Sequence, residues 1–297
     1  MIVVALTILT LVAFAANSLL CRMALGDTLI DPVSFTSFRL VSGALALAPL
    51  ARSVHEEKAP SNRAEAWVSG AALFTYAVAF SLAYVSLTAG AGALILFGAV
   101  QITMISIGVR SGERLGSLQW AGVVTAMGGL VWLVQPGLAA PDPTGALLMF
   151  VAGIAWGVYS IRGKGAPAPI AMTSRNFLVA APLALLVSAS ALFPVHVVPS
   201  GVGLALLSGA VTSGLGYVLW YRVLKSLTTT QASMAQLLTP VLVAFGGVVL
   251  LSEPLSVRLV LASLLILGGV ALVVMKRAST RRSESETDSQ GSTRHGR

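Results

Sequence analysis

The chain alternates long apolar runs with short polar breaks. The runs lie near residues 2 to 21, 32 to 51, 67 to 87, 90 to 109, 117 to 134, 143 to 161, 170 to 193, 201 to 222, 229 to 251 and 256 to 275. About 20 helical residues cross a hydrocarbon core of roughly 30 Å, so the pattern predicts ten transmembrane helices. Pro32, Pro143 and Pro169 stand where a first helical turn tolerates a missing N–H, and Gly112 and Gly137 mark exits. Because the breaks are short, the ten spans are expected to form one bundle.

Composition agrees with a chain dissolved in lipid: 56% of residues are hydrophobic and only 10% are charged. An ordinary soluble domain carries roughly 25% charged residues. The small-x-small pattern at Ala13-Phe14-Ala15 invites a signal-peptide reading. Against it, no basic residues precede the run, and apolar character continues to about Leu20, long enough to span. The single cysteine, Cys21, excludes an intrachain disulfide, and His55, His196 and His295 are scattered through loops and tail. Neither a metal site nor a cofactor is therefore expected.

The net charge of +8 orients the chain rather than pointing to nucleic acid. Fifteen of the nineteen Lys and Arg fall after even-numbered spans or in the tail from Lys276, whereas only Arg22 and Arg258 fall on the opposite side. By the positive-inside rule both termini are cytoplasmic. The expected location is the cell inner (plasma) membrane, and residues 277–297 read as a disordered cytoplasmic tail.

A repeat offset of 140 residues lays Gly112 to Val134 on Ser252 to Val274. It matches Glu113 with Glu253, Leu115 with Leu255, Gly128-Gly129 with Gly268-Gly269, and, earlier, Arg22 with Arg162. Five spans per copy is an odd number, so the second copy enters the membrane from the other side. The expected fold is thus an all-α integral membrane protein of two inverted five-helix repeats, residues 1–139 and 140–276, an arrangement that commonly builds a site near the midplane.

Several of these motifs resemble the ten-span EamA-type branch of the drug/metabolite transporter superfamily. The resemblance rests on Asp31-Pro32 followed by Arg39, Tyr84 ahead of Gly112-Glu113-Arg114-Leu115, and Tyr221 ahead of Thr239-Pro240 and Ser252-Glu253-Pro254-Leu255. It covers nearly all of residues 1 to 275. Pro240 precedes Glu253 by thirteen residues, whereas the first half has Val100 at the matching place. Within the superfamily the chain looks most like the YddG-type exporters of aromatic and other amino acids. The resemblance implies a transporter rather than an enzyme, and no converging nucleophile, base or metal-ligand set argues otherwise.

Candidate functional residues are mostly aromatic. Tyr76, Phe80 and Tyr84 recur every fourth residue in span three, as do Tyr217 and Tyr221 in span eight, so each set shares a helix face. A cavity lining is expected from Tyr76, Phe80, Tyr217, Trp156 and Tyr159, with polar groups from Asn17, Gln101, Ser233 and Gln236. Trp67, Trp120 and Trp220 read as an interface belt. Tyr84 and Tyr221, near opposite ends of their spans, read either as gates or as headgroup anchors. Arg39 and Arg175 lie deep in equivalent spans; they suit a substrate carboxylate or internal bonding, and the internal role is favoured. Glu113 and Glu253 read as helix N-terminal carboxylates. The Gly-Gly pairs of spans five and ten read as close helix contacts or as an interface between two copies.

With no acid or histidine at mid-span, transport is expected to be uncoupled, and the low-charge aromatic cavity suits amino acids or similar small metabolites. Another metabolite or drug is the alternative substrate. The topology predicts that reporters fused after Arg63, Lys164 and Arg297 read as cytoplasmic and those near Ala140 and His196 as external. An external tail would rule out the ten-span arrangement.

Overall fold

The structure, a computed structural model, describes residues 2–53, 63–110, 116–135, 140–164, 167–190, 194–227, 235–269 and 271–272. Seven helices are long and apolar enough to cross a membrane. They are α1 (Ile2–Gly26), α2 (Pro32–Ser53), α3 (Arg63–Tyr84), α4 (Ala89–Arg110), α6 (Pro143–Gly163), α7 (Pro169–Ala189) and α8 (Pro199–Ser226). Three more are apolar but shorter over the described residues: α5 (Ser117–Val134), α9 (Leu238–Leu251) and α10 (Val257–Gly269). The ten runs read from the sequence therefore correspond one to one with ten helices of an all-α membrane fold. Gly112, Glu113, Arg114, Leu115, Gly137, Ser233 and the tail 277–297 lie outside the described residues.

Helix starts follow local chemistry. The Asp31 carboxylate accepts the N–H groups of Val33 and Ser34 at 3.1 and 2.8 Å, and Asp142 accepts that of Gly145 at 2.6 Å. Proline opens α6, α7 and α8, where its missing N–H has no intrahelical acceptor to lose. The chain turns at Leu237 just before α9, which places Pro240 in that helix's first turn, while α4 runs unbroken through Val100.

Glu253 corrects one reading. It does not cap its own helix, which begins at Val257 with the Ser256 hydroxyl accepting the N–H of Leu259 at 3.1 Å. Ser252 takes a left-handed conformation, φ 52°, that folds Glu253 back toward the end of α9. From there the carboxylate accepts the N–H of Ala89 at 2.7 Å, so it serves the first residue of α4, from the other half of the chain.

The main helix contacts cross between halves. α3 packs on α6 and α7, α1 on α8 and α9, α2 on α7 and α8, and α4 on α6 and α9. Exchanging α1–α5 with α6–α10 maps each of these pairings onto another of them or, for α2 with α7 and α4 with α9, onto itself. At the periphery, α5 and α10 meet through one glycine from each pair. A Cβ on Gly129 would press on Leu265 and Ile266, and one on Gly269 on the backbone of Gly122 and Ala126, while Gly128 and Gly268 face open space. Gly129 and Gly269 are thus close contacts within the chain.

Residues 208–215 of α8 form a π-helical turn, Ser208–Leu215, beside α2. The backbones approach so closely there that a Cβ on Gly209 would collide with the Arg39 carbonyl and the Ser42 hydroxyl. Such π turns insert a residue into a helix and commonly mark functional positions.

Candidate functional site

Arg39 lies on α2 seven residues past Pro32 and is only 1% exposed. Two helices, α3 and α8, supply its partners. Its Nε donates to Ser213 Oγ at 3.0 Å, and its Nη2 to the Tyr217 hydroxyl at 2.9 Å and the Tyr76 hydroxyl at 3.4 Å. The Tyr76 and Phe80 rings lie 5.3 and 5.1 Å from the guanidinium carbon, within cation–π range. No carboxylate pairs with it among the described residues. Nη1 is buried without a hydrogen-bond partner.

Asn17 of α1 joins this centre from the opposite side. Its Oδ1 accepts from Ser208 at 2.7 Å, Ser213 at 3.2 Å and Thr212 at 3.3 Å, and its Nδ2 donates to Tyr76 at 3.4 Å. The three hydroxyls are on the π turn, which brings positions 208, 212 and 213 onto one side. Sequence reading missed them, because their spacing does not fit one face of a regular α-helix. The available signal was the density of small polar residues in Ser208-Gly-Ala-Val-Thr-Ser-Gly214 within an apolar span.

The aromatic candidates form one continuous column. Consecutive ring centroids stand 4.7 Å apart for Tyr84 and Phe80, 5.2 Å for Phe80 and Tyr76, and 5.0 Å for Tyr76 and Trp156. The column continues at 5.5 Å from Trp156 to Tyr159 and 5.6 Å from Tyr159 to Tyr221. Tyr217 joins at Trp156, 4.7 Å away, and Phe14 contacts Trp156, Tyr217 and Trp220. A small void of about 10 Å³ lies beside Phe14, Asn17, Tyr76, Trp156 and Tyr217. That is room for about one water molecule. Larger hollows of about 330 and 470 Å³ are lined almost wholly by apolar residues of α4, α5, α6, α9 and α10, away from this column.

Several expectations change. Trp67 and Trp120 are 57% and 52% exposed, as belt residues should be, but Trp220 is fully buried against Phe14 and does not belong to a belt. Tyr84 and Tyr221 are equally buried, so neither ring reaches the headgroups as an anchor in this conformation. Arg175 is half-buried and is not the counterpart of Arg39. Asn176, seven residues past Pro169, takes that place; its side chain is buried and donates to the Tyr159 hydroxyl at 3.5 Å. One residue along a helix turns a side chain by roughly 100°, which separates the two. Gln101 is buried on α4, and Gln236, equally buried ahead of α9, has neither amide atom hydrogen-bonded.

Each end of the column carries an arginine that ties helices together. Arg22 Nε pairs with Glu253 Oε1 at 2.9 Å and its Nη1 donates to the Tyr84 carbonyl at 3.0 Å. At the other end, Arg162, the repeat partner of Arg22, donates from Nε to Ser69 at 2.9 Å and from Nη2 to the Glu65 carbonyl at 3.3 Å. Tyr221 closes against Gly163 there, and its hydroxyl donates to the Tyr159 carbonyl at 3.4 Å.

This geometry of a polar–aromatic lane between two bundle halves coincides with a family assignment. The model of the EamA-like transporter family matches residues 1–135 and again 143–275. The chain belongs to that family. An uncharacterized protein of Pseudomonas aeruginosa is 50% identical to this EamA-like chain over 92% of its length and 94% of its own. The threonine/homoserine exporter RhtA of Escherichia coli is 30% identical over 61% of each chain. An uncharacterized transporter of Archaeoglobus fulgidus is 29% identical over 68% of this chain and 74% of its own. A solved crystal structure shares the fold with a TM-score of 0.66 at 21% identity, covering 91% of this EamA-like chain and 96% of that one.

Asn17 holds three hydroxyls at once, so its loss strands buried donors. Asn17→Leu is expected to cost about 1–3 kcal/mol of stability, the usual penalty for unsatisfied buried polar groups. Thermal unfolding in detergent measures it; an unchanged midpoint would show that the Ser208, Thr212 and Ser213 hydroxyls do not depend on Asn17.

Proposed function

We propose that this EamA-like protein exports, or facilitates the passage of, amino acids, aromatic and other neutral ones, across the inner membrane. It does so by alternating access between two inverted repeats, residues 1–139 and 140–276. The observation that carries this reading is the aromatic column, which holds the Arg39–Asn17 centre between buried tyrosines at its two ends. Support for the repeats comes from the helix pairings that interchange between halves and from the family model matching the chain twice. Support for amino acids comes from the low-charge polar–aromatic centre and from similarity to a threonine/homoserine exporter.

Both termini are assigned to the cytoplasm, which puts the Arg22 end outside. In the present conformation that outer end is latched: Glu253 of one repeat holds Arg22 and the start of α4 in the other. Opening outward requires this latch to part and Tyr84 to leave its place against Phe80 and Gly92. The inner end is closed in the same conformation through Tyr221, Tyr159 and Gly163, and opening inward requires Tyr221 to leave them. The substrate dwells between them, near Tyr76, Trp156 and Tyr217.

Uptake of labelled threonine and phenylalanine into liposomes containing only this protein tests the function. The solutes should equilibrate down their own gradients without an imposed ion gradient, because the described carboxylates Asp27, Asp31, Glu65, Asp142 and Glu253 all stand at helix ends. Concentrative uptake driven by a proton or sodium gradient would overturn the uncoupled reading, and no uptake of either solute would overturn the amino-acid one.

The gate assignment has its own test. With single cysteines deep in α3 and α8 in a Cys21-free background, Tyr84→Ala and Arg22→Gln should each raise labelling from outside. Tyr221→Ala should raise labelling from inside. Equal labelling from both sides in all three variants, at unchanged protein level, would remove the gates.

A further inference from the structure

A guanidinium offers two edges on which a planar anion can sit with two parallel hydrogen bonds. In Arg39 the edge made by Nε and Nη2 is taken by Ser213 and Tyr217, at 3.0 and 2.9 Å. The other edge, made by Nη1 and Nη2, is almost free: Nη1 has no partner, and Nη2 has there only the long 3.4 Å contact with Tyr76. The side chain is almost wholly buried, so neither bulk water nor lipid headgroups solvate that edge. The hydrogen-bond partners of the guanidinium are neutral hydroxyls, and the rings facing it are neutral too. A buried charge left without a counter-ion is costly, and a bidentate carboxylate is the ligand that relieves the cost best.

The same centre offers nothing comparable to an ammonium. Asn17 Oδ1, its amide acceptor, already receives three hydroxyls. The described carboxylates all stand at the helix ends. An ammonium there meets neutral hydroxyls and the ring faces of Tyr76, Trp156 and Tyr217, which attract it weakly compared with an ion pair.

We infer that Arg39 docks the carboxylate of the transported solute on its Nη1–Nη2 edge, and that the site selects its substrates by this group rather than by the amino group. The inference rests on the transporter reading of the same site and names the part of the substrate that is recognised. Tyr76 is the group displaced: its hydroxyl gives up the long contact with Nη2 as the carboxylate arrives.

The test uses the wild-type protein first, since an Arg39 variant can fail for want of folding. Purified full-length protein is titrated with phenylalanine and threonine, with their amides, and with phenyllactate, and ligand-induced thermal stabilisation is followed. The acids, phenyllactate included, should stabilise within about threefold of one another in apparent affinity. The amides should bind about tenfold to a hundredfold more weakly, the range expected for losing one charge-assisted pair. Where Arg39→Gln folds, as judged by its circular dichroism and elution profile, acids and amides should become equivalent. Amides that bind as well as the acids would overturn the inference and leave the amino-acid reading standing. Stabilisation by phenyllactate without either amino acid would keep the carboxylate dock and remove the amino-acid reading. No stabilisation by any compound would remove both.

Discussion

A guanidinium inside an apolar bundle must be solvated by the protein itself, and much of the interior is arranged around that requirement at Arg39. Its hydrogen bonds reach α3 and α8, and through Ser213 they reach Asn17 on α1. Hydrogen bonds to a charged donor contribute about 1.5–3 kcal/mol each, and the facing rings add less. Ser213 and Tyr217, four residues apart, reach Arg39 from one face of α8, but the contacts with Asn17 put a further condition on that helix. A regular helix does not present positions 208, 212 and 213 together toward one neighbour; the π turn does, and Gly209 lets α2 come close enough to share them. The local irregularity of α8 thus gathers the hydroxyls that Asn17 of α1 binds beside the Arg39 centre.

The described charges at helix ends do different work. Glu253 is both the ion-pair partner of Arg22 and the acceptor for the first N–H of α4, so one carboxylate ties the α9–α10 connection to two elements of the other half. The pair is partly solvated, with Arg22 and Glu253 side chains 21% and 12% exposed. Water can replace such contacts at modest cost, as it cannot at Arg39. An end that must open and close is better held by groups that water can solvate than by apolar packing alone.

What could be read from the sequence follows the range of the signal. Ten apolar runs, proline at helix starts and aromatic residues at every fourth position are local patterns, and each survives as helix, helix start or ring column. The readings that failed needed longer-range knowledge. Trp220 sits near a helix end, as a belt residue would, but Phe14 of α1 covers it. Arg175 shares its residue type and an equivalent span with Arg39, but it stands six residues past its proline rather than seven, and Asn176 takes the matching place. Glu253 does meet free helix N–H groups, but those of α4, about 160 residues earlier in the chain. The hydroxyls of the π turn were hidden for a different reason: a period of 3.6 residues cannot register a turn that departs from it.

Neutrality along the column has a consequence for the proposed transport. Tyr84, Phe80, Tyr76, Trp156, Tyr159 and Tyr221 give a zwitterion's apolar part a series of ring faces of similar character. The fixed positive charge midway supplies the one strong preference, and it lies between the two ends rather than at either. A carrier of this kind binds the same group whichever end is open. With every described carboxylate at a helix end, a pH or sodium difference has no mid-span carboxylate on which to act. Under the proposed function, net movement would then follow the solute's own concentration difference, and the protein would serve as an exporter whenever its substrate accumulates inside the cell.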